Sequence, residues 1–481
     1  MQFEDYAGYD ATGLAQLVRR GEIAAGEVLE AAINRAGVVE PKINAIVDTL
    51  YDQARVAAAK PATGPFAGVP WAIKDLGTPV AGALLTRGSR AFASHRATQD
   101  SELVRRYRAA GLNIFCTTAT PEFGSAGTTE SALHGRTRNP WNLGKTSGGS
   151  SGGASALVAA GVIPAAHGSD SGGSIRLPAA CCALLGLKPS RGRVPVASGA
   201  TEVKMGTSAA HALTRSVRDM AALLDATHGP ELGSRYIAPP PETTFLDAAS
   251  NPRAGLRIAL QLTPFSATGV DPVCLNAAQD AARLCEQLGH VVEEARPQLD
   301  GAALGMAFLT IGIADVHMGL QLAERELGHS ISLDDLEPVS ASVLASAKEI
   351  RAHDLLAAEL LLQQAAITMA RFQQAYDVIL TPGTGQPPVD LGTLSLDRSV
   401  TDWANAMASF SPFTAIYNQT GQPALMVPMA WTEDDLPIGV QFAARIGEEG
   451  LLFGLASQIE EARPWFHRRP RNFLTGGFVE S

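Results

Sequence analysis

Two serines stand in glycine-rich turns 24 residues apart. Ser150 lies within Gly148-Gly149-Ser150-Ser151-Gly152-Gly153, and Ser174 closes Gly168-Ser169-Asp170-Ser171-Gly172-Gly173-Ser174. Upstream, Lys74 ends the apolar run Val69-Pro70-Trp71-Ala72-Ile73. A hydroxyl is a weak nucleophile until a base takes its proton. A lysine in apolar surroundings has its charged form penalised, so its amine can be neutral near pH 7 and act as that base. These residues point to a serine hydrolase whose base is a lysine, a chemistry suited to an amide-like carbonyl. On residue type alone, a strand-end lysine reaching solvent is the commoner outcome. None of the seven lysines has a serine three positions before it, which removes the Ser-x-x-Lys arrangement.

Other patterns fit the same glycines less well. Gly148-x-Ser150-x-Gly152 and Gly149-x-Ser151-x-Gly153 both satisfy the nucleophile-elbow pattern, with His290, His317 or His353 as its base. That pattern needs an apolar strand feeding the turn, whereas Trp141 to Ser147 reads as a polar loop. Gly144-Lys145-Thr146 looks like the end of a phosphate loop, but Asn139 stands where that loop needs glycine. A glycine run alone can mark a tight turn or close helix packing.

The elements that must hold these residues can be read from periodicity. Residues 12–36 read as two short helices, with Gly21 as a stop and a second run after Gly26. Residues 47–59 read as a further helix. Phe66 to Ile73 reads as a turn into a buried strand ending at Lys74-Asp75. Residues 100–110 form a helix, Gly111 stops it, and 112–116 form a strand. This β-α-β alternation argues for an α/β fold. Residues 154–160 read as a closely packed helix, and 164–167 as a strand feeding the second glycine turn. The proline-rich segment 230–256 reads as a loop, and 301–375 as mostly helical. Strands are expected at 256–260, 378–382, 424–428 and 438–443, and helices at 273–288 and 450–461. No internal repeat appears, and one large domain over 1–481 is the simplest account.

Bulk composition narrows the partners. Hydrophobic residues make up 46% and charged residues 18% of the 481, a globular balance. Net charge is −10 and no long basic cluster occurs, so no nucleic-acid partner is expected. The start, Met1-Gln2-Phe3-Glu4-Asp5, is acidic and reads as no secretory signal. No unbroken run of 18 apolar residues occurs, so no membrane partner is expected. Five cysteines without a C-x-x-C pair read as reduced, buried small hydrophobes, consistent with a cytoplasmic protein.

Taken together, these motifs resemble the amidase signature family. The core of the likeness is Gly148 to Gly153, then Gly168 to Ala179, then Gly186-Leu187-Lys188-Pro189. It extends to Gly68-Val69-Pro70 with Lys74-Asp75, Pro121-Glu122-Phe123-Gly124, Arg138 to Asn142, Asn418 to Ala424 and Leu436 to Gln441. Within the family, Arg138 to Gly144, His167-Gly168 and Pro464 to Pro470 look like the 6-aminohexanoate cyclic-dimer hydrolases.

The resemblance implies a single amidase domain, a central mixed β-sheet covered by helices, with its signature core at about 66–195. It implies Ser174 as nucleophile, Ser150 as a bridging serine after a cis peptide, and Lys74 as base. The backbone N–H groups of Ser171, Gly172, Gly173 and Ser174 would form the oxyanion hole, supported by Ser151, Asp170 and Arg176. No metal or organic cofactor is implied. The implied substrate is a small-molecule amide, linear, cyclic or aryl, with carbamates, urethanes and esters as chemical analogues. The implied state is a monomer or homodimer. The alternative is a protein like the amidase component of a glutamyl-tRNA amidotransferase, working in a complex. Thr117-Thr118-Ala119 replaces the Lys-Thr-Asn common in the family and counts against that alternative. The pocket is expected to be completed by residues 120–140, 305–350 and the loop after Pro382, with Phe123, Leu133, Ile311 and Phe413 as apolar candidates.

Overall fold

The computed structural model describes residues 3–473, apart from residues 62, 197, 198 and 267. Met1 and Gln2 of the acidic start lie outside the described residues. The main sheet has eight strands. Their spatial order is Val291–Glu294, Arg257–Leu260, Val378–Pro382, Pro437–Ala444, Ala424–Trp431, Leu185–Lys188, Ala209–Thr214, Ala165–Asp170. Arg257–Leu260 pairs in parallel with both its neighbours, and the other pairings are antiparallel, so the sheet is mixed. A second sheet has the order Ile46–Thr49, Asn113–Thr118, Pro70–Lys74. Its last strand lies alongside Ala165–Asp170, so the second sheet extends the first. Helices cover both, and one large apolar cluster runs beneath them.

Most expected elements are present. The parallel pair Pro70–Lys74 and Asn113–Thr118, with helix Glu102–Ala109 between them in sequence, is the expected β-α-β unit. All five residues of Pro70–Lys74 are buried, so the strand has no polar face to show in its pattern. Helix Gly152–Ala159 is buried along its whole length. At Gly153 a Cβ would stand 2.5 Å from Ala119 N and 2.7 Å from Ala45 O, so only glycine lets the helix approach so closely. All five cysteines are free and buried.

Several expected elements differ in the structure. Residues 47–59 are not one helix. Ile46–Thr49 is a strand, and the helix spans Tyr51–Ala58. Pairing of Ile46–Thr49 with Asn113–Thr118 overrides the local pattern. The polar segment before Ser147 contains the strand Asn142–Thr146, paired with Arg138–Asn139. The proline-rich segment holds a short helix, Phe245–Ser250, capped by Thr244. The second N-terminal helix is longer than expected, running Ala25–Ile43.

The helix Gly301–Leu327 is long and apolar enough, by length and composition, to cross a membrane. Its 18-residue apolar window has a mean hydropathy of 1.6, and 22% of that window is buried. It packs against helix Ala352–Phe372 and forms part of the wall over the serine turns.

Candidate active site

Lys74 is carried inward as the last residue of its strand and is 1% exposed. Its Nζ lies 2.6 Å from Ser150 Oγ, 3.1 Å from Ser169 Oγ and 3.3 Å from Ser169 O. Burial pulls the ammonium down to about 7, with Asp170 opposing and Lys204 assisting. Lys188 is also buried and lowered to about 7, but its Nζ donates to the Pro189 carbonyl. Burial therefore does not single out Lys74. Its contact with a hydroxyl does. Sequence reasoning leaves Ser169 unassigned, although its place in the second glycine turn is the signal that could have found it.

Ser150 sits at the head of helix Gly152–Ala159 and follows a cis peptide, Gly149–Ser150. Ser151 ties the two turns together. Its Oγ donates to Ser169 O at 3.2 Å and accepts from Ser169 N at 3.3 Å. The Ser151 N–H donates to Ser174 O at 3.1 Å. The two serine turns, remote in sequence, are thus held against each other through backbone and hydroxyl.

The second turn is built around a buried ion pair. Asp170 accepts from the N–H groups of Gly173, Ile175 and Arg176, at 2.8, 3.1 and 3.4 Å. The Arg176 guanidinium meets it at 2.9 Å with both side chains fully buried. Burial alone would raise the Asp170 carboxyl. Arg176 and Asn418 overcome that and hold it well below the usual carboxylate range. Arg176 also donates to Asn418 Oδ1, Gln441 Oε1 and Thr414 O, at 2.5, 2.6 and 2.7 Å. The Asn418 and Gln441 motifs therefore converge on one guanidinium, whose five N–H donors are all engaged.

Of the four expected oxyanion donors, Gly173 has its N–H engaged by Asp170. The N–H groups of Ser171, Gly172 and Ser174 have no partner among the described residues. Gly173 adopts φ +138, and a Cβ there would stand 2.5 Å from Thr414 Oγ1. Thr414 Oγ1 in turn donates to Gly172 O at 2.6 Å. A side-chain hydrogen bond between Ser150 and Ser174 is not formed among the described residues.

Ser174 borders two cavities of about 610 and 600 Å³. Ser150 and Ser169 face the first. The expected walls are present: residues 123–127, the helix Gly301–Leu327, and Leu396 with helix Val400–Phe410 beyond Pro382. Phe123 borders both cavities. Ile311 and Phe413 are instead buried, and Leu133 borders neither cavity. His290, His317 and His353, the bases an elbow would need, also border neither cavity.

The chain is similar over most of its length to known proteins. The family model described as Amidase matches residues 27–453. The 6-aminohexanoate-cyclic-dimer hydrolase of Paenarthrobacter ureafaciens is 38% identical over 480 residues, 96% of each chain. A solved structure of 6-aminohexanoate cyclic dimer hydrolase complexed with substrate superposes with a TM-score of 0.91 at 35% identity, over 98% of this chain and 100% of that one. A bacterial aryl acylamidase of the amidase signature family superposes with a TM-score of 0.87 at 26% identity, over 98% and 99%. The mixed sheet, the paired serine turns with their buried lysine and these full-length matches lead to one conclusion: the chain belongs to the amidase signature family of carbon–nitrogen hydrolases.

Proposed function

We propose that this chain hydrolyses small, non-peptide amides through a Ser174–Ser150–Lys74 relay and an acyl-enzyme. The observation that carries this reading is the 2.6 Å contact between buried Lys74 Nζ and Ser150 Oγ, with Ser150 and Ser174 bordering the same cavity. Neutral Lys74 takes the Ser150 proton as Ser150 takes that of Ser174. Ser174 Oγ bonds to the carbonyl carbon, and the oxygen gains negative charge. The unengaged N–H groups of Ser171, Gly172 and Ser174 receive that charge. The relay then returns the proton to the nitrogen, the C–N bond breaks and the amine leaves. Water hydrolyses the Ser174 ester by the same relay in reverse. The Ser150–Ser174 contact closes as substrate seats, because catalytic hydrogen bonds commonly tighten only in the bound complex.

The relatives' names favour cyclic and aryl amides, and linear amides present the same bond. Carbamates, urethanes and esters present the same carbonyl beside a heteroatom and extend the proposed range. The protein works as one domain over 1–481, in the cytoplasm, as a monomer or homodimer, without metal, cofactor, membrane or nucleic acid. A panel of an anilide, a 6-aminohexanoate cyclic dimer, an aryl carbamate and a nitrophenyl ester tests it. Wild-type turnover that disappears in Ser174→Ala is expected. Undiminished turnover in that variant would overturn the reading.

A further inference from the structure

The space over Ser174 divides into two lobes, both walled mainly by apolar side chains, and they differ in that the first also carries several charged ones. The first, about 610 Å³, is bordered by Arg87, His95, Arg96, Lys204 and Asp315. The second, about 600 Å³, is bordered by Met306, Leu309, Val343, Leu396, Trp403 and Met407. Each is large enough for a drug-sized group. Phe123, Ser171, Ser174, Lys204 and Val316 border both, so Ser174 stands at the neck. Phe123 is held there at φ 52, in the left-handed region, with its ring edge-on to Phe92 at 6.3 Å. Side-chain-bearing residues disfavour that conformation, so the fold holds the neck against a local preference.

The first lobe concentrates positive charge on a chain whose net charge is −10. Arg96 is paired with Asp48 at 2.9 Å, and Arg87 lies over the Phe92 ring at 4.4 Å. Lys204 differs. Its ammonium forms no ion pair within 4.0 Å among the described residues. Its backbone is fixed at φ 52, with its N–H donating to Asp315 Oδ1 at 3.0 Å. This half-buried lysine beside the neck has Asp315 as its nearby carboxylate but makes no direct ion pair among the described residues, and a ligand carboxylate would supply one.

We propose that the substrate is an amphiphilic amide. An alkyl or aryl group on one side of the scissile bond fills the apolar lobe, and a carboxylate-bearing group on the other side meets Lys204. This rests on the amide-hydrolase reading above and narrows its substrate class.

The test uses hexananilide and two carboxylated analogues. One carries a carboxylate in place of the terminal methyl, and the other carries it on the para position of the ring. Binding to Ser174→Ala is measured by calorimetry, with turnover by the wild type alongside. One carboxylated isomer is expected to bind about tenfold more tightly than hexananilide, a difference near 1.4 kcal/mol. Adding Lys204→Met or Lys204→Gln should remove that difference, whereas Trp403→Ala should weaken all three together. Equal binding of the three amides, or a preference that survives both Lys204 variants, would overturn the assignment. Turnover without a binding preference would overturn it and leave the hydrolase reading standing. A binding preference without turnover would do the reverse.

Discussion

The backbone N–H of Lys74 donates to Nδ1 of His167 at 3.2 Å, where the edges of the two sheets meet. The ring is fully buried. Burial, then repulsion from Lys74, lowers it to about 3, so it stays neutral at ordinary pH. With Nδ1 accepting, the ring hydrogen belongs on Nε2, which faces Thr78 Oγ1 at 3.4 Å. His167 therefore anchors the end of the strand from which the candidate base hangs.

Replacing that anchor should disturb the base without touching substrate. His167→Leu leaves the Lys74 N–H buried and unpaired, which costs about 1–3 kcal/mol. We expect lower kcat/KM and a shifted acid limb in its pH profile. His167→Asn, whose Oδ1 can accept the same N–H, should restore part of both. A stability loss with an unmoved pH profile would make His167 a packing residue only.

The pH dependence has a defined sign. The relay needs neutral Lys74, whose pKa is lowered to about 7. Below that value the amine is protonated and cannot accept. So kcat/KM should rise tenfold per pH unit up to about 7 and then level. Lys74→Arg, which cannot shed its proton, should be inactive throughout. A flat profile from about pH 5 to 9 would remove Lys74 from the base role.

Arg176 should matter for stability first. Arg176→Met leaves the buried Asp170 carboxylate without its partner, a loss of about 3–5 kcal/mol by denaturant unfolding. The linkage has a clear direction. The Asp170 carboxyl is depressed in the fold, so its contribution is present at neutral pH. It is lost in acid, as pH falls below the unfolded carboxyl value and through the folded one. The pH-dependent part of the difference between wild type and Arg176→Met should shrink in acid.

At Gly173 the backbone and the space both resist a side chain. Gly173→Ala must accommodate φ +138 and a Cβ 2.5 Å from Thr414 Oγ1. The turn holding Ser174 should shift, with kcat falling more than KM rises and Tm falling as well. Wild-type kcat in Gly173→Ala would show that the turn tolerates displacement.

The local chemistry is legible in the sequence because glycine turns and an apolar strand are short-range signals. Lys74, Ser150 and Ser174 can be singled out that way. Ile46–Thr49 and Ala209–Thr214 cannot, because their strand character comes from partners far along the chain. Asp48 lies opposite Thr117, and Ala210 opposite Ser169, beyond the reach of any local window. The Asp170–Arg176–Asn418–Gln441 cluster is visible only as separate motifs, since its convergence is tertiary. The cationic lobe is not legible at all, because Lys204 reaches the neck through an unusual backbone conformation that residue type does not announce.

The central claim is that Ser174 is the nucleophile activated by Lys74. A fluorophosphonate probe that reacts with activated serines, followed by peptide mass mapping, tests it most directly. The label should fall on Ser174 and on no other serine, and Lys74→Ala should label far more slowly. Label on Ser150 or elsewhere, or equal labelling in the Lys74→Ala variant, would contradict the account.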